Sequence, residues 1–198
     1  MNKIKAGNNM NYQLYGSTTS PYVRKIRMFM MNQNIEFEFK NINILDPAGA
    51  KILKEINPIN KIPVLVFNNQ KIWESRVIFN FLNTKKLNIE DENRLSLIDA
   101  LIDTTINLYM MKRNNIVIDE TNAFFQRQFQ RIKDLLSLLD ADVNHFNQWN
   151  YLSMSLYAYL DWAQFREFLQ IDNYPNLKTF IETWQNNHEV QITKIITY

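Results

Sequence analysis

Apolar and polar positions follow two different periods along this chain, and the change between them divides it. Tyr12 to Leu14 begins a short strand, and Glu36-Phe37-Glu38-Phe39 alternates with period two, the signature of a half-buried strand. Between them Pro21 opens a helix running through Arg24, Ile26, Met28, Phe29 and Met30 to about Asn34. Proline suits the first helical position because the N–H it lacks would have no intrahelical partner there. A short helix is expected over Ala48–Ile56, ending before Asn57-Pro58. Val64-Leu65-Val66-Phe67 is a β-type run, Asn68-Asn69 a tight turn and Gln70–Trp73 the return strand. Glu74-Ser75 then opens an apolar-periodic segment with Val77, Ile78, Phe81 and Leu82.

The order by Leu82 is β-α-β-α-β-β-α, a thioredoxin-like pattern with parallel pairing early and an antiparallel hairpin late. Asn83–Asn88 is a polar break, and beyond it every period is helical. Leu95, Ile98, Leu101, Ile102, Ile106 and Tyr109 form one stripe; Phe125, Phe129, Ile132, Leu135, Leu136 and Leu139 a second. Leu152, Leu156, Tyr159 and Leu160 give a third, and Leu177, Phe180, Ile181 and Trp184 a fourth. The predicted fold class is α+β. A polar, frayed start over 1–10 precedes a thioredoxin-like domain over 11–83, then a linker over 84–89 and an all-helical domain over 90–198.

Composition narrows the function. A net charge of +2, with basic residues only in short pairs such as Arg24-Lys25 and Lys85-Lys86, gives no basic block for nucleic acid. These pairs are expected to be solvated, with Arg24 and Arg27 facing solvent or a partner subunit. The chain has no cysteine, which excludes disulfides, zinc–thiolate sites and cysteine redox chemistry. His145 and His188 have no companions at ligand spacing, so no metal is expected. The opening Met-Asn-Lys-Ile-Lys-Ala-Gly-Asn-Asn lacks an apolar signal core, and no 18-residue apolar run follows, so a cytoplasmic location without membrane association is expected.

The densest chemistry lies in Asn57-Pro58-Ile59-Asn60-Lys61-Ile62-Pro63-Val64-Leu65, followed by Glu74-Ser75. A proline directly before a strand fits best at its first position. A cis Ile62-Pro63 bond would turn the chain sharply and leave the Val64 N–H and C=O open to a ligand. Asn60 tolerates positive φ better than other non-glycine residues. The helix start at Glu74-Ser75 carries unpaired N–H groups that favour a carboxylate. Together these elements form a peptide-sized notch.

Leu14-Tyr15-Gly16-Ser17-Thr18-Thr19-Ser20-Pro21-Tyr22-Val23-Arg24-Lys25-Ile26-Arg27 resembles the first strand, active-site loop and first helix of the glutathione transferase superfamily. The loop before Pro63 and the Glu74-Ser75 pair are similar to its glutathione-binding elements. Leu160-Asp161-Trp162 and Tyr174-Pro175-Asn176-Leu177 extend the likeness over nearly the whole chain. The resemblance is to bacterial-type cytosolic members with serine at the active-site position. It implies glutathione as co-substrate, a small apolar electrophile as its partner, a detoxifying role and a homodimer in which the first domain of one chain meets the helical domain of the other. Ser20 then donates a hydrogen bond to the glutathione sulfur and favours the thiolate, although as a residue it is equally suited to capping the helix at Pro21. Thr18, Thr19 and Tyr15 are alternatives. Lys61, Ile62, Pro63, Val64, Glu74 and Ser75 hold glutathione: Lys61 at its glycine carboxylate, Val64 at its cysteinyl main chain, Glu74 at its ammonium and Ser75 at its γ-glutamyl carboxylate. Tyr22, Tyr109, Met110 and Arg113 are the implied electrophile contacts. The resemblance also implies a capping box of Ser or Thr followed by Asp where this chain has Asn150 and Ser153; Asn can cap, but Ser153 has no carboxylate.

Two other activities occur on this architecture. Disulfide or dehydroascorbate reduction needs a cysteine at the Ser20 position, which a cysteine-free chain cannot supply. A binding module without turnover, similar to stringent starvation protein A or to the gamma subunit of an elongation factor complex, need not keep Ser20, Pro63, Glu74 and Ser75.

Overall fold

The structure, a computed structural model, describes residues 12–196; the expectation of a frayed start over 1–10 falls outside them. The chain divides between Thr84 and Lys85 into two compact units.

In the first unit, β1 (Tyr12–Gly16), β2 (Phe37–Asn41), β3 (Val64–Phe67) and β4 (Gln70–Trp73) form one sheet in the order β2-β1-β3-β4. β1 and β2 run parallel, while β3 is antiparallel to both β1 and β4. Asn68 and Asn69 both hold positive φ in the β3–β4 turn, as a tight hairpin with right-handed strand twist requires. β2 lies one residue later than the alternation suggested. α1 (Pro21–Asn32), α2 (Pro47–Ile56) and α3 (Ser75–Leu82) complete the unit. The Ser20 side chain accepts from Val23 N–H and the Asp46 side chain from Gly49 N–H, so α1 and α2 both begin with a polar cap followed by proline.

Leu14, Leu65, Ile26, Phe29, Ile78 and Phe79 are buried, with the Phe29 and Phe79 rings edge-on at 5.0 Å where α1 meets α3. Ile42, Leu53 and Val64 centre a second cluster, to which Tyr15, Ile44, Ile56, Ile62, Val66 and Trp73 add partly buried surface. Gly16 is required where β1 closes on α1: a Cβ there would lie 2.4 Å from Val23 Cγ2. That closeness fixes the start of α1 against the end of β1.

Arg24 and Lys25 are not solvated as expected. Both are buried, and the Lys25 ammonium sits 4.7 Å above the Tyr22 ring. Both lie on the buried face of α1, so an adjacent basic pair is here no sign of exposure. The Arg27 guanidinium lies 4.2 Å from the Phe39 ring, stacked on β2 instead of extending into solvent.

The second unit contains α4 (Ile89–Arg113), α5 (Ala123–Ala141), α6 (Tyr151–Phe165), α7 (Pro175–Trp184) and α8 (His188–Ile192), with short 3-10 turns at Val143–Phe146 and Ile171–Asn173. α6 is buried on every side from Tyr151 to Leu160, so it is the core helix and not merely one stripe of it. α4 follows its predicted stripe to Ile102 and then buries Thr105 and Leu108, leaving Ile106 and Tyr109 half-buried. Thr105 Oγ1 donates to Leu101 C=O at 2.8 Å and so accepts from the buried Tyr159 hydroxyl at 3.2 Å. Burial drives the Tyr159 phenol well above its usual range. Asn150 and Ser153 close a complete capping box. Asn150 Oδ1 accepts from Leu152 and Ser153 N–H, and Ser153 Oγ accepts from Asn150 N–H at 2.9 Å while donating to Gln148 C=O. A hydroxyl thus serves where a carboxylate was expected.

Candidate functional site

Strand register brings the candidate residues of the first unit to one end of the sheet. Tyr15, Val64 and Trp73 lie side by side across β1, β3 and β4. Because β3 is antiparallel to its neighbours, the chain leaves β1 into Ser17–Ser20, enters β3 from Ile62-Pro63 and leaves β4 into Glu74-Ser75 at that same end. Adjacent strands lie ~4.8 Å apart, so these three segments occupy a width that a short peptide can span.

Ser17 organises the first segment. Its Oγ pairs with Thr19 Oγ1 at 2.9 Å and accepts from Thr19 N–H, while its C=O accepts from Ser20 N–H at 3.2 Å. Thr18 is buried. Ser20 Oγ accepts from Val23 N–H at 3.3 Å. That bond uses a lone pair and leaves the hydroxyl hydrogen available, so capping α1 and donating to a ligand are compatible roles.

Tyr15 is arranged differently. Its hydroxyl donates to Gln13 Oε1 at 3.2 Å, and Gln13 Nε2 donates to Glu38 Oε2 at 3.0 Å. Gln13 precedes Tyr15 on the strand, so the phenol leans back along β1 while the Ser17–Ser20 loop leaves from the opposite end. The Lys40 ammonium, and then Gln13, hold the Glu38 carboxyl below its usual range at the far end of this chain.

The Ile62-Pro63 bond is cis, as expected. The Val64 backbone, however, does not stand open. Val64 is 0% exposed on an inner strand, opposite Tyr15 on one side and Trp73 on the other. In antiparallel ladders hydrogen-bonded pairs alternate, so the inner strand's N–H and C=O groups are shared between its two neighbours. Ile62 carries the last main-chain N–H before the ladder, with Pro63 between it and Val64, and among the described residues its main-chain groups have no protein partner. Strand order, a non-local property, decides this point.

Asn60 holds φ 57, and Lys61 is exposed. Asn57, which sequence reading singled out only as part of the stretch, is buried and bonds both Ile59 N–H and Lys61 C=O. The available signal was Asn directly before Pro at a helix end, where a side-chain turn is favoured. Glu74 is exposed with φ 65 and ψ 127, and its side chain makes no cap to α3; Ser75 beside it is buried.

The four electrophile candidates do not converge within the second unit. Tyr109 and Arg113 share one face of α4: Arg113 Nη1 donates to the Tyr109 hydroxyl at 3.2 Å, and the ring packs edge-on to Trp162 and Phe168 beneath the Arg166 guanidinium. Met110 turns to another face, where it lines a cavity of about 330 Å³ with Leu108, Met111, Ile116 and Phe124. Tyr22 lies in the first unit, under Lys25. Among the described residues no three His, Cys, Asp or Glu side chains gather as a metal site, and no helix is long and apolar enough to cross a membrane.

Residues 10–84 match the family model of the glutathione S-transferase N-terminal domain. Over 71 residues the chain is 37% identical to the uncharacterized GST-like protein YibF of Escherichia coli, a match covering 35% of this chain and 34% of that protein. Over 69 residues it is 33% identical to a probable maleylacetoacetate isomerase of Caenorhabditis elegans, covering 35% and 32%. The chain thus spans about a third of the length of these curated relatives. In structure it is similar to a glutathione S-transferase from Methylobacillus flagellatus with GSH bound, at TM-score 0.80 and 21% identity, covering 93% of this chain and 100% of that one. A glutathione transferase family member from Pseudomonas fluorescens with bound glutathione gives TM-score 0.77 at 19% identity, covering 94% and 100%. The chain shares the fold of these proteins over more than nine-tenths of its length, and the family match falls on the first unit.

Proposed function

We propose that this protein is a glutathione transferase of the superfamily matched by its first unit. The observation that carries the reading is the convergence at one sheet end of the Ser20 hydroxyl, the unpartnered Ile62 main chain and the Glu74-Ser75 corner. Glutathione presents the complementary groups in order. Its γ-glutamyl ammonium pairs with Glu74 and its carboxylate with Ser75 at the start of α3. Its cysteinyl main chain bonds Ile62, which takes the role first assigned to Val64, with Pro63 fixing the direction of approach. Its glycine carboxylate pairs with Lys61.

An unperturbed thiol, with pKa near ~8.5, is mostly protonated at neutral pH. The Ser20 hydrogen and the positive end of α1 both favour the thiolate, and the proton leaves to solvent. The thiolate then attacks an electrophilic carbon. A carbon–sulfur bond forms as a leaving group departs with its electron pair, or as an activated double bond takes up the electrons and a proton. The electrophile is assigned as small and apolar; of its proposed contacts, Met110 is the exposed apolar side chain, and Tyr22, Tyr109 and Arg113 complete the set.

Activity against model electrophiles tests the reading. Ser20→Ala should lower kcat by roughly ten-fold to a thousand-fold and raise the apparent pKa of the bound thiol, with affinity for glutathione nearly unchanged. Tyr15→Phe should leave both close to wild type, because its phenol is engaged with Gln13. A shifted thiol titration in Tyr15→Phe beside a normal one in Ser20→Ala would reassign the role.

A further inference from the structure

The loop that enters the cis proline is held from inside by one carboxamide. Asn57 is 1% exposed. Its Oδ1 accepts from Ile59 N–H at 2.9 Å, and its Nδ2 donates to Lys61 C=O at 2.6 Å. Its own N–H closes α2 on Leu53 C=O at 2.8 Å, and its C=O accepts from Asn60 N–H at 3.0 Å. The last turn of α2 is fastened to β4 in turn: Trp73 Nε1 donates to Ile56 C=O and Lys71 Nζ to Glu55 C=O, both at 2.9 Å. With Asn60 at φ 57 the chain doubles back, and Lys61 C=O comes to meet the side chain four residues earlier.

This grip has a directional consequence. The Lys61-Ile62 peptide bond is trans, and in a planar trans peptide the C=O and N–H point in opposite senses. Fixing the Lys61 carbonyl on Asn57 therefore turns the Ile62 N–H away from Asn57, and that N–H has no protein acceptor among the described residues. We infer that Asn57 is a positioning residue: through the Lys61 carbonyl it aims the Ile62 N–H at a main-chain carbonyl of a bound peptide, without touching the peptide itself. Removing the grip frees the 61–62 peptide plane to rotate, and the ligand loses one pre-aimed donor. The contact to Ile59 is separate and serves the turn at Pro58.

The inference rests on the proposal that glutathione occupies this notch, and glutathione is the probe. Asn57→Asp keeps an acceptor for Ile59 N–H but sets an oxygen against the Lys61 carbonyl. Its glutathione Kd, by calorimetry, should rise about ten-fold, the equivalent of one hydrogen bond. The KM for glutathione should rise by the same factor, while kcat at saturating glutathione and the KM for a model electrophile stay within about two-fold. Exchange of the Ile62 amide hydrogen should slow on adding glutathione to wild type and not to the variant. If Asn57→Asp fails to fold, by its thermal transition, Asn57→Ser carries the same comparison. A folded variant that binds glutathione as wild type does, or one that loses kcat with KM unchanged, overturns the positioning role alone. A wild type that does not bind glutathione overturns the reading of the notch and this inference with it.

Discussion

Glu74 is held at φ 65 and ψ 127, a conformation that costs a non-glycine residue ~1–3 kcal/mol and tends to persist where function requires it. Two properties should therefore separate there. Glu74→Gly relieves the backbone and should raise unfolding stability by about 1 kcal/mol in urea titration, after the greater entropy of glycine in the unfolded chain is offset. The same change should weaken glutathione binding by roughly 1.5–3 kcal/mol, as expected for loss of a charge-assisted hydrogen bond. A variant that is both more stable and equally avid would remove Glu74 from the site. Ser20 was legible in the sequence because a small hydroxyl before proline announces a helix start. The direction of the Tyr15 hydroxyl was not, since alternation assigns a long side chain to a face and leaves its tip undetermined. Val64 was misjudged for a related reason: a β-type run gives no sign of which strands will flank it. Arg24 and Lys25 show the limit of reading charge as exposure.

At the scale of elements, helix ends carry more than their own residues reveal. α7 begins at Pro175 after Tyr174, which has no capping side chain; its cap comes instead from Asp140 at the end of α5. Asp140 Oδ1 accepts from Leu177 N–H at 2.9 Å and Oδ2 from Asn176 Nδ2 at 3.1 Å. Asp140→Ala and Ser153→Ala should each cost about 1–2 kcal/mol of stability in urea unfolding, within the range measured for lost caps. The Asn150 cap could be read from its spacing, whereas the Asp140 cap could not, because it joins residues far apart in sequence. Element identities were legible from period and punctuation as far as α7; the five-residue α8 was not, being too short to show a period, and the remaining errors fell at boundaries such as β2, where register depends on the neighbouring strand. Where α4 and α6 meet, the Tyr159 phenol is pushed upward by burial, so the folded state resists its ionisation while the unfolded chain does not. Its contribution is complete below the ordinary tyrosine range near ~10 and is lost as pH rises above it. Unfolding free energy measured from pH 8 to 11 should fall more steeply in wild type than in Tyr159→Phe.

For the whole molecule, the proposed assembly is a symmetric pair, the commonest arrangement of soluble chains. Light scattering at micromolar protein should give about twice the 23.7 kDa of one chain, and a mass at the monomer value would count against it. The chain also solves its turns in an unusual currency. It contains only 3 Gly, and neither of the two described ones, Gly16 and Gly49, holds positive φ; five of its seven described positive-φ residues are asparagines: Asn34, Asn60, Asn68, Asn69 and Asn115. Asparagine bears the left-handed region at modest steric cost and, unlike glycine, does not widen the ensemble from which folding starts. All five are exposed at turns. Asparagine is also among the thermolabile residues. The residues that spare the unfolded chain its entropy are therefore the ones that age chemically, and prolonged heating should damage this protein first at its corners, by deamidation, while its helices and sheet are still intact.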